Sequence, residues 1–242
     1  MYRNVNLDAH LSALLFLGSA ALLIVLLISI VAIAVWRRQW LRYSVTALAV
    51  LVAGYGVLLL VFSLFSRERI LARGEEKYFC ELDCHLAYSV QKVERIKQIG
   101  DAIANGEFYI VTLRARFDET TTAPWRPRDA TLTPDPLSFA LVDGHGDAVP
   151  PSASGQAAWN AFHGPPANLS KPLRPGEAVE ATLVFDAPPA MHSPRLLASF
   201  ALFPTQVLIG DESSLFHKKT YFSLQVDHSA RSADIGSTLL AR

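Results

Sequence analysis

The sequence predicts a transmembrane α-helical hairpin followed by an all-β antiparallel sandwich. Three observations carry this reading. Two long uncharged apolar runs stand near the N-terminus, a short basic link joins them, and the rest alternates apolar with polar residues between turn signals. All 14 prolines lie beyond Ala123, so the two halves differ in material as well as in pattern. With 51% hydrophobic and 18% charged residues, the chain is neither a disordered segment nor a nucleic-acid-binding tail, and no nucleic-acid partner is expected. Its 2 cysteines are too few for a disulfide framework.

The first run, residues 11–36, holds 26 residues without a charge, and the second, residues 43–66, holds 24. About 20 apolar residues cross a bilayer core of roughly 30 Å, so each run is long enough to span with some tilt. Between them Arg37, Arg38 and Arg42 share the tip with Trp36, Trp40 and Tyr43, residue types that suit a headgroup region. So short a link forces an antiparallel hairpin with both ends on one side. The positive-inside rule, applied to the first helix, puts the tip in the cytoplasm. Both termini and the following domain are then periplasmic, on a two-pass protein of the inner (cytoplasmic) membrane. The first run lacks the short apolar core and small-residue cleavage site of a removable signal.

Residues 67–85 read as a juxtamembrane stalk, with the second helix expected to continue from Ser66 toward Lys77 and to stop at Gly74. Residues 86–228 read as the sandwich and 229–242 as a C-terminal tail. Tyr109, Val111, Leu113, Ala115 and Phe117 line one face of a strand; Val179, Ala181, Leu183 and Phe185 do the same for another. Residues 137–142, 196–203 and 220–226 are further strands, and 85–96 holds one or two more. Turns are expected at Asn105–Gly106, Asp143–Gly144, Pro175–Gly176 and Pro188–Pro189. With no amphipathic helix evident between strands, an antiparallel sandwich is favoured over a parallel α/β sheet. The Pro-rich stretch 150–175 reads as one long excursion and a contact surface.

The stretch Gly106-Glu107-Phe108-Tyr109-Ile110-Val111-Thr112-Leu113 resembles the central strand of bacterial cell-surface immunoglobulin-like domains of unknown function. So does Leu173-Arg174-Pro175-Gly176-Glu177 leading into Leu183-Val184-Phe185-Asp186. The resemblance covers roughly residues 86–228. It implies an immunoglobulin-like sandwich on an envelope protein and transfers no catalytic residue.

One segment, Cys80-Glu81-Leu82-Asp83-Cys84-His85, carries chemistry. The leading reading is a disulfide between Cys80 and Cys84 that pins the stalk to the sandwich. Two thiolates and an imidazole also suit copper, with Cys80, Cys84 and His85 as ligands. The hairpin-plus-sandwich plan is distantly similar to subunit II of haem-copper oxidases. That family places Glu midway between its cysteines and a Met soon after, where this chain has Leu82 and no Met before Met191. A third reading is covalent haem at Cys84-His85, with three residues between the cysteines in place of the usual two. No cofactor is expected; copper and haem are the alternatives.

Asp143-Gly144-His145-Gly146-Asp147 reads as a hairpin turn. Asp211, Glu212 and His217 lie in a polar loop, where Asp211 is placed to cap a short helical turn, and they are candidates for a partner or metal contact. Trp125 and Trp159, in expected loops, are candidate contacts as well. No nucleophile elbow, phosphate-binding glycine loop or His-Glu-x-x-His is present. The expected function is therefore non-catalytic: a membrane-anchored periplasmic interaction or scaffold protein. As an accessory subunit it would stabilise a larger membrane complex, such as a respiratory or photosynthetic electron-transfer complex. Its partners would be other membrane subunits and the lipid bilayer.

Overall fold

The computed structural model describes residues 2–3, 9–36, 38–79, 85–121, 127, 129–134, 137–199 and 205–225. After a two-residue strand β1 (Tyr2–Arg3) come the helices α1 (Ala9–Trp36) and α2 (Leu41–Leu64), joined by a 3-10 turn at Arg38–Trp40. Both helices are long and apolar enough to cross a membrane. They are apolar on every face because no stripe of either is reserved for a soluble core: Leu14, Ile28, Val31, Val50 and Val57 all stand exposed. At the tip the Trp40 and Tyr43 rings are 5.7 Å apart, and the Arg42 guanidinium lies 4.8 Å from the centre of the Tyr43 ring.

Among the described residues, the β-rich part contains two five-stranded sheets. The first has the order β1–β3–β4–β5–β8, with β3 (Lys77–Phe79), β4 (Leu86–Ile99), β5 (Ala102–Phe117) and β8 (Ala178–Ala187). The second has the order β2–β10–β9–β6–β7, with β2 (Arg69–Leu71), β6 (Ser138–Val142), β7 (Ala148–Val149), β9 (Arg195–Ser199) and β10 (Thr220–Ser223). One apolar core joins them: Val90, Val111, Leu113 and Phe185 from the first sheet meet Leu71, Leu141, Leu196 and Phe222 from the second. The expected face of β5 holds, since Tyr109, Val111, Leu113, Ala115 and Phe117 all belong to this core.

Several expectations are corrected. The inner pairings are antiparallel, but β1 runs parallel to β3 and β2 parallel to β10, so both sheets are mixed. Each parallel pair sits at an edge, where the chain enters or leaves the helical hairpin. The second helix does not continue to Gly74. It ends at Leu64, and the expected stalk contributes β2 and β3 to the two sheets. Gly74 (φ +80°) serves the turn between them, its N–H donating to the Val90 carbonyl at 2.9 Å.

Asn105–Gly106 is not a turn. It lies inside β5, tied to Asp186 through the Asn105 amide at 2.9 Å; the β4–β5 turn is at Gly100 and Asp101. Gly106 is required there by packing, because a Cβ would stand 2.4 Å from the Ala187 carbonyl.

The Pro-rich excursion holds a helix, α3 (Ala153–His163), which the proline content of its flanks concealed. Ser152 Oγ accepts from Gly155 N at 3.1 Å and caps it, and Gly164 (φ +80°) ends it. The helix covers the outer face of the first sheet over Phe108, Ile110 and Val184. Gln156 then meets the β8 edge as another strand would: its Oε1 accepts from Val184 N at 3.1 Å and its Nε2 donates to Thr182 O at 3.3 Å.

Candidate functional site

The polar chemistry of the β-domain concentrates where it meets the helical hairpin. Residues 205–219 form a loop that begins as a 3-10 turn at Thr205–Val207 and is tied to both helices. Ser12 Oγ of α1 donates to the Ile209 carbonyl at 2.8 Å. Tyr55 of α2 donates its hydroxyl to the Val207 carbonyl at 2.7 Å. Just past α2, Ser66 Oγ accepts from Lys218 N at 2.7 Å and donates to the Ser63 carbonyl at 2.6 Å. Ile209 is fully buried and lines a groove of about 400 Å³ on the hairpin with Leu14, Gly18, Leu51, Gly54 and Leu58.

Beneath this loop lies a buried ion pair. Lys77, 0% exposed, sends its ammonium to Glu212 Oε1 at 2.5 Å, Ala198 O at 2.8 Å and Thr220 O at 3.0 Å. All three ammonium protons thus have acceptors, the condition under which a buried lysine retains its charge. Glu212, 3% exposed, completes the arrangement by accepting from Thr220 N at 3.1 Å. Burial lowers the Lys77 pKa and the Glu212 carboxylate opposes that shift. The Lys219 ammonium donates to the Glu212 carbonyl. Burial pushes Asp211 up to about 6, helped by the neighbouring Glu212 and resisted by Ser213 N–H and Lys219.

A second network sits on β3 and β5. Arg116 grips Glu76 with two bonds of 2.8 Å and reaches Asp118 at 3.2 Å, while the Tyr78 hydroxyl is 2.6 Å from Asp118. Burial works against the Asp118 charge, but the Tyr78 and Thr120 hydrogen bonds and Arg116 hold its carboxyl down at about 2. A groove of about 500 Å³ opens between the sheets beside Arg95, Tyr109 and Arg195. Its two arginines are already engaged, Arg95 by Glu107 and Arg195 by Glu68.

The candidates read from the sequence fall into three groups. Asp211, Glu212 and His217 are brought together in the junction loop, but turned inward. Asp211 closes a turn through Ser213 N at 2.6 Å without a helix, and the buried His217 has Nδ1 2.7 Å from Lys218 O. Trp159 lies in α3, half-buried over the first sheet and stacked on His163 at 3.8 Å. His85 is 1% exposed, its ring 5.6 Å from that of Phe117. Cys80, Cys84 and Trp125 lie outside the described residues, and so does the proposed disulfide or metal chemistry of the cysteines. Among the described residues, no group of three or more His, Cys, Asp and Glu side chains is placed to hold a metal ion. The Asp143–Asp147 segment is a turn, with Asp143 Oδ1 accepting from His145 N at 2.8 Å and Asp147 N at 3.0 Å.

Sequence reasoning missed Lys77, whose strand is buried at all three positions and so shows no alternation. It also missed Ser12 and Tyr55. Their signal was present: polar side chains inside long apolar runs need a partner there.

No protein-family model and no curated protein matches this sequence. Among solved structures the chain is similar to the yjhA protein from Bacillus subtilis, at 17% identity and a TM-score of 0.35, over 64% of this chain and 98% of that one. It is also similar to a conserved hypothetical protein from Bacillus anthracis, at 14% identity and a TM-score of 0.33, over 52% of this chain and 89% of that one. Likeness at this level leaves function to be read from the residues themselves.

Proposed function

We propose that the chain is a membrane-anchored interaction protein without a catalytic role of its own. In this reading the hairpin spans the inner membrane and the β-domain, immunoglobulin-like in plan, stands on the periplasmic side. It serves as an accessory subunit that steadies a larger membrane complex, and an electron-transfer complex is the host we favour. The observation that carries the reading is the tie between hairpin and domain. Ser12, Tyr55 and Ser66 fix the loop 205–219 to both helices, so a partner meets the helices and the extrinsic surface in one geometry. Such preorganisation reduces the ordering cost of binding at two places at once. The groove at Gly18 and Gly54 adds a place where another helix backbone can come close.

Purification of the full chain from its native membranes in a mild detergent tests this. Stoichiometric membrane subunits are expected to co-migrate with it. A single chain at every detergent concentration, and again in lipid nanodiscs, would count against the proposal.

A further inference from the structure

One part of the junction loop reaches below the end of α2. Tyr55 stands nine residues before Leu64, the last residue of α2, which is about 13 Å down the helix axis. Its hydroxyl nevertheless reaches the Val207 carbonyl, and Ile209 lines one groove with Leu14, Gly18 and Leu58. With the helices spanning a bilayer, that level is inside the leaflet on the domain side. Backbone carbonyls at such depth find no water and need internal donors. Tyr55 supplies one for Val207 and Ser12 one for Ile209; Leu208 N bonds Thr205 O at 3.2 Å and Leu215 N bonds Gln206 O at 3.4 Å.

A second observation concerns the outer side of the loop. Leu215 is 57% exposed and Phe216 73%; Leu215 N bonds the Gln206 carbonyl, and Lys218 N, two residues after Phe216, bonds Ser66 just past α2. Leu64 and Phe65, at the end of α2, are exposed as well. Phe216 has φ +62°, a left-handed conformation that a bulky side chain adopts only when its surroundings demand it. In water, the exposed pairs Leu64–Phe65 and Leu215–Phe216, brought toward one another by the Lys218–Ser66 bond, would be adhesive. In lipid they continue the apolar surface of α1 and α2.

We infer that the junction loop dips into the bilayer at its edges, through Val207–Ile209 against the helices and through the Leu215–Phe216 tip, which contacts the acyl chains, while Asp211 and Glu212 between them stay with Lys77 in the β-domain. The inference rests on the membrane-anchored reading above. Lys218 follows the tip after the buried His217, where its ammonium can reach the phosphates of the headgroup layer.

The test places the photoreactive residue p-benzoylphenylalanine at one position at a time in the full chain, reconstituted into vesicles of phosphatidylcholine and phosphatidylglycerol. Position 216 probes the loop and position 25, exposed within α1, probes the anchor. Position 162 is the control: Phe162 is exposed beside Gly100 at the far end of the β4–β5 hairpin. After irradiation, a mass gain of one phospholipid is expected at 216 and at 25, and none at 162. Lipid adducts at 25 without any at 216 overturn the inference and leave the anchor standing. Absence of lipid adducts at 25 overturns the anchor itself. Adducts at 216 to polypeptide alone also overturn the inference, making the tip a protein-docking surface.

Discussion

Replacing Lys77 by Met retains most of the volume and removes the charge. In the native protein the ammonium is fully buried and bonded to Glu212, Ala198 O and Thr220 O. After Lys77→Met, Glu212 keeps only the Thr220 N–H among these partners and remains 3% exposed, while two strand carbonyls lose their donor. Breaking a buried pair from one side costs about 3–5 kcal/mol, because the surviving charge stays buried without its principal counter-ion. That is a large share of the roughly 5–15 kcal/mol that holds a domain folded. The exposed pair Lys92–Glu94, whose lysine side chain is 66% exposed, contributes no more than about 1 kcal/mol, so Lys92→Met serves as the control. Guanidinium unfolding of the full chain in dodecyl maltoside micelles, followed by near-ultraviolet circular dichroism, reads the difference. Adding Glu212→Gln to Lys77→Met removes the stranded charge and is expected to recover a substantial part of the loss. If Lys77→Met unfolds with the wild-type midpoint, or if Glu212→Gln restores nothing, the pair does not hold the junction as described.

Two further outcomes follow from the geometry. Gly155→Ala, ordinarily stabilising within a helix, is expected to destabilise by about 1–3 kcal/mol, because the new Cβ would stand 2.8 Å from Val184 and 2.9 Å from Phe108, both buried; thermal unfolding checks the sign. Burial pushes Asp211 up to about 6, so the folded protein holds a proton that the unfolded chain releases at about pH 4. This contribution is complete below about pH 4 and declines by up to about 3 kcal/mol as pH rises through 6. Because His217, lowered by burial, acts in the opposite direction over the same range, the readout is the difference: denaturant midpoints measured from pH 4 to 7 should decline more, or rise less, in the wild type than in Asp211→Asn.

The elements legible in the sequence are those whose environment is periodic. α1 and α2 announce themselves by length, and β5 and β8 by alternation against a shared core. The Asp143–Asp147 turn is legible because its glycines and aspartates bond within the segment. What escaped depends on distant partners. Asn105–Gly106 has turn chemistry but is held extended by Asp186 and Ala187. α3 is short, and its amphipathic pattern is interrupted by Gly155, which is present for packing. Lys77 reads as one more basic residue near a membrane, because its partner Glu212 lies 135 residues away. The candidate loop 205–219 drew notice for its acids and histidine, whereas the residues that seat it are hydroxyls in the helices.

The two edge strands flanking the hairpin bear on how the protein is made. β1 precedes the helices and belongs to one sheet; β2 follows them and belongs to the other. Arg69 of β2 has its strand partner at Thr220, 151 residues further on. During synthesis β2 therefore stays unpaired until residues 220–222 have left the ribosome, a long-range closure of the slow kind. The helices can be inserted and the first sheet largely assembled well before that moment. In the membrane-anchored reading, closing the second sheet is then a late step of folding, and a chain cut short before β10 would carry both the helical hairpin and an open sheet edge.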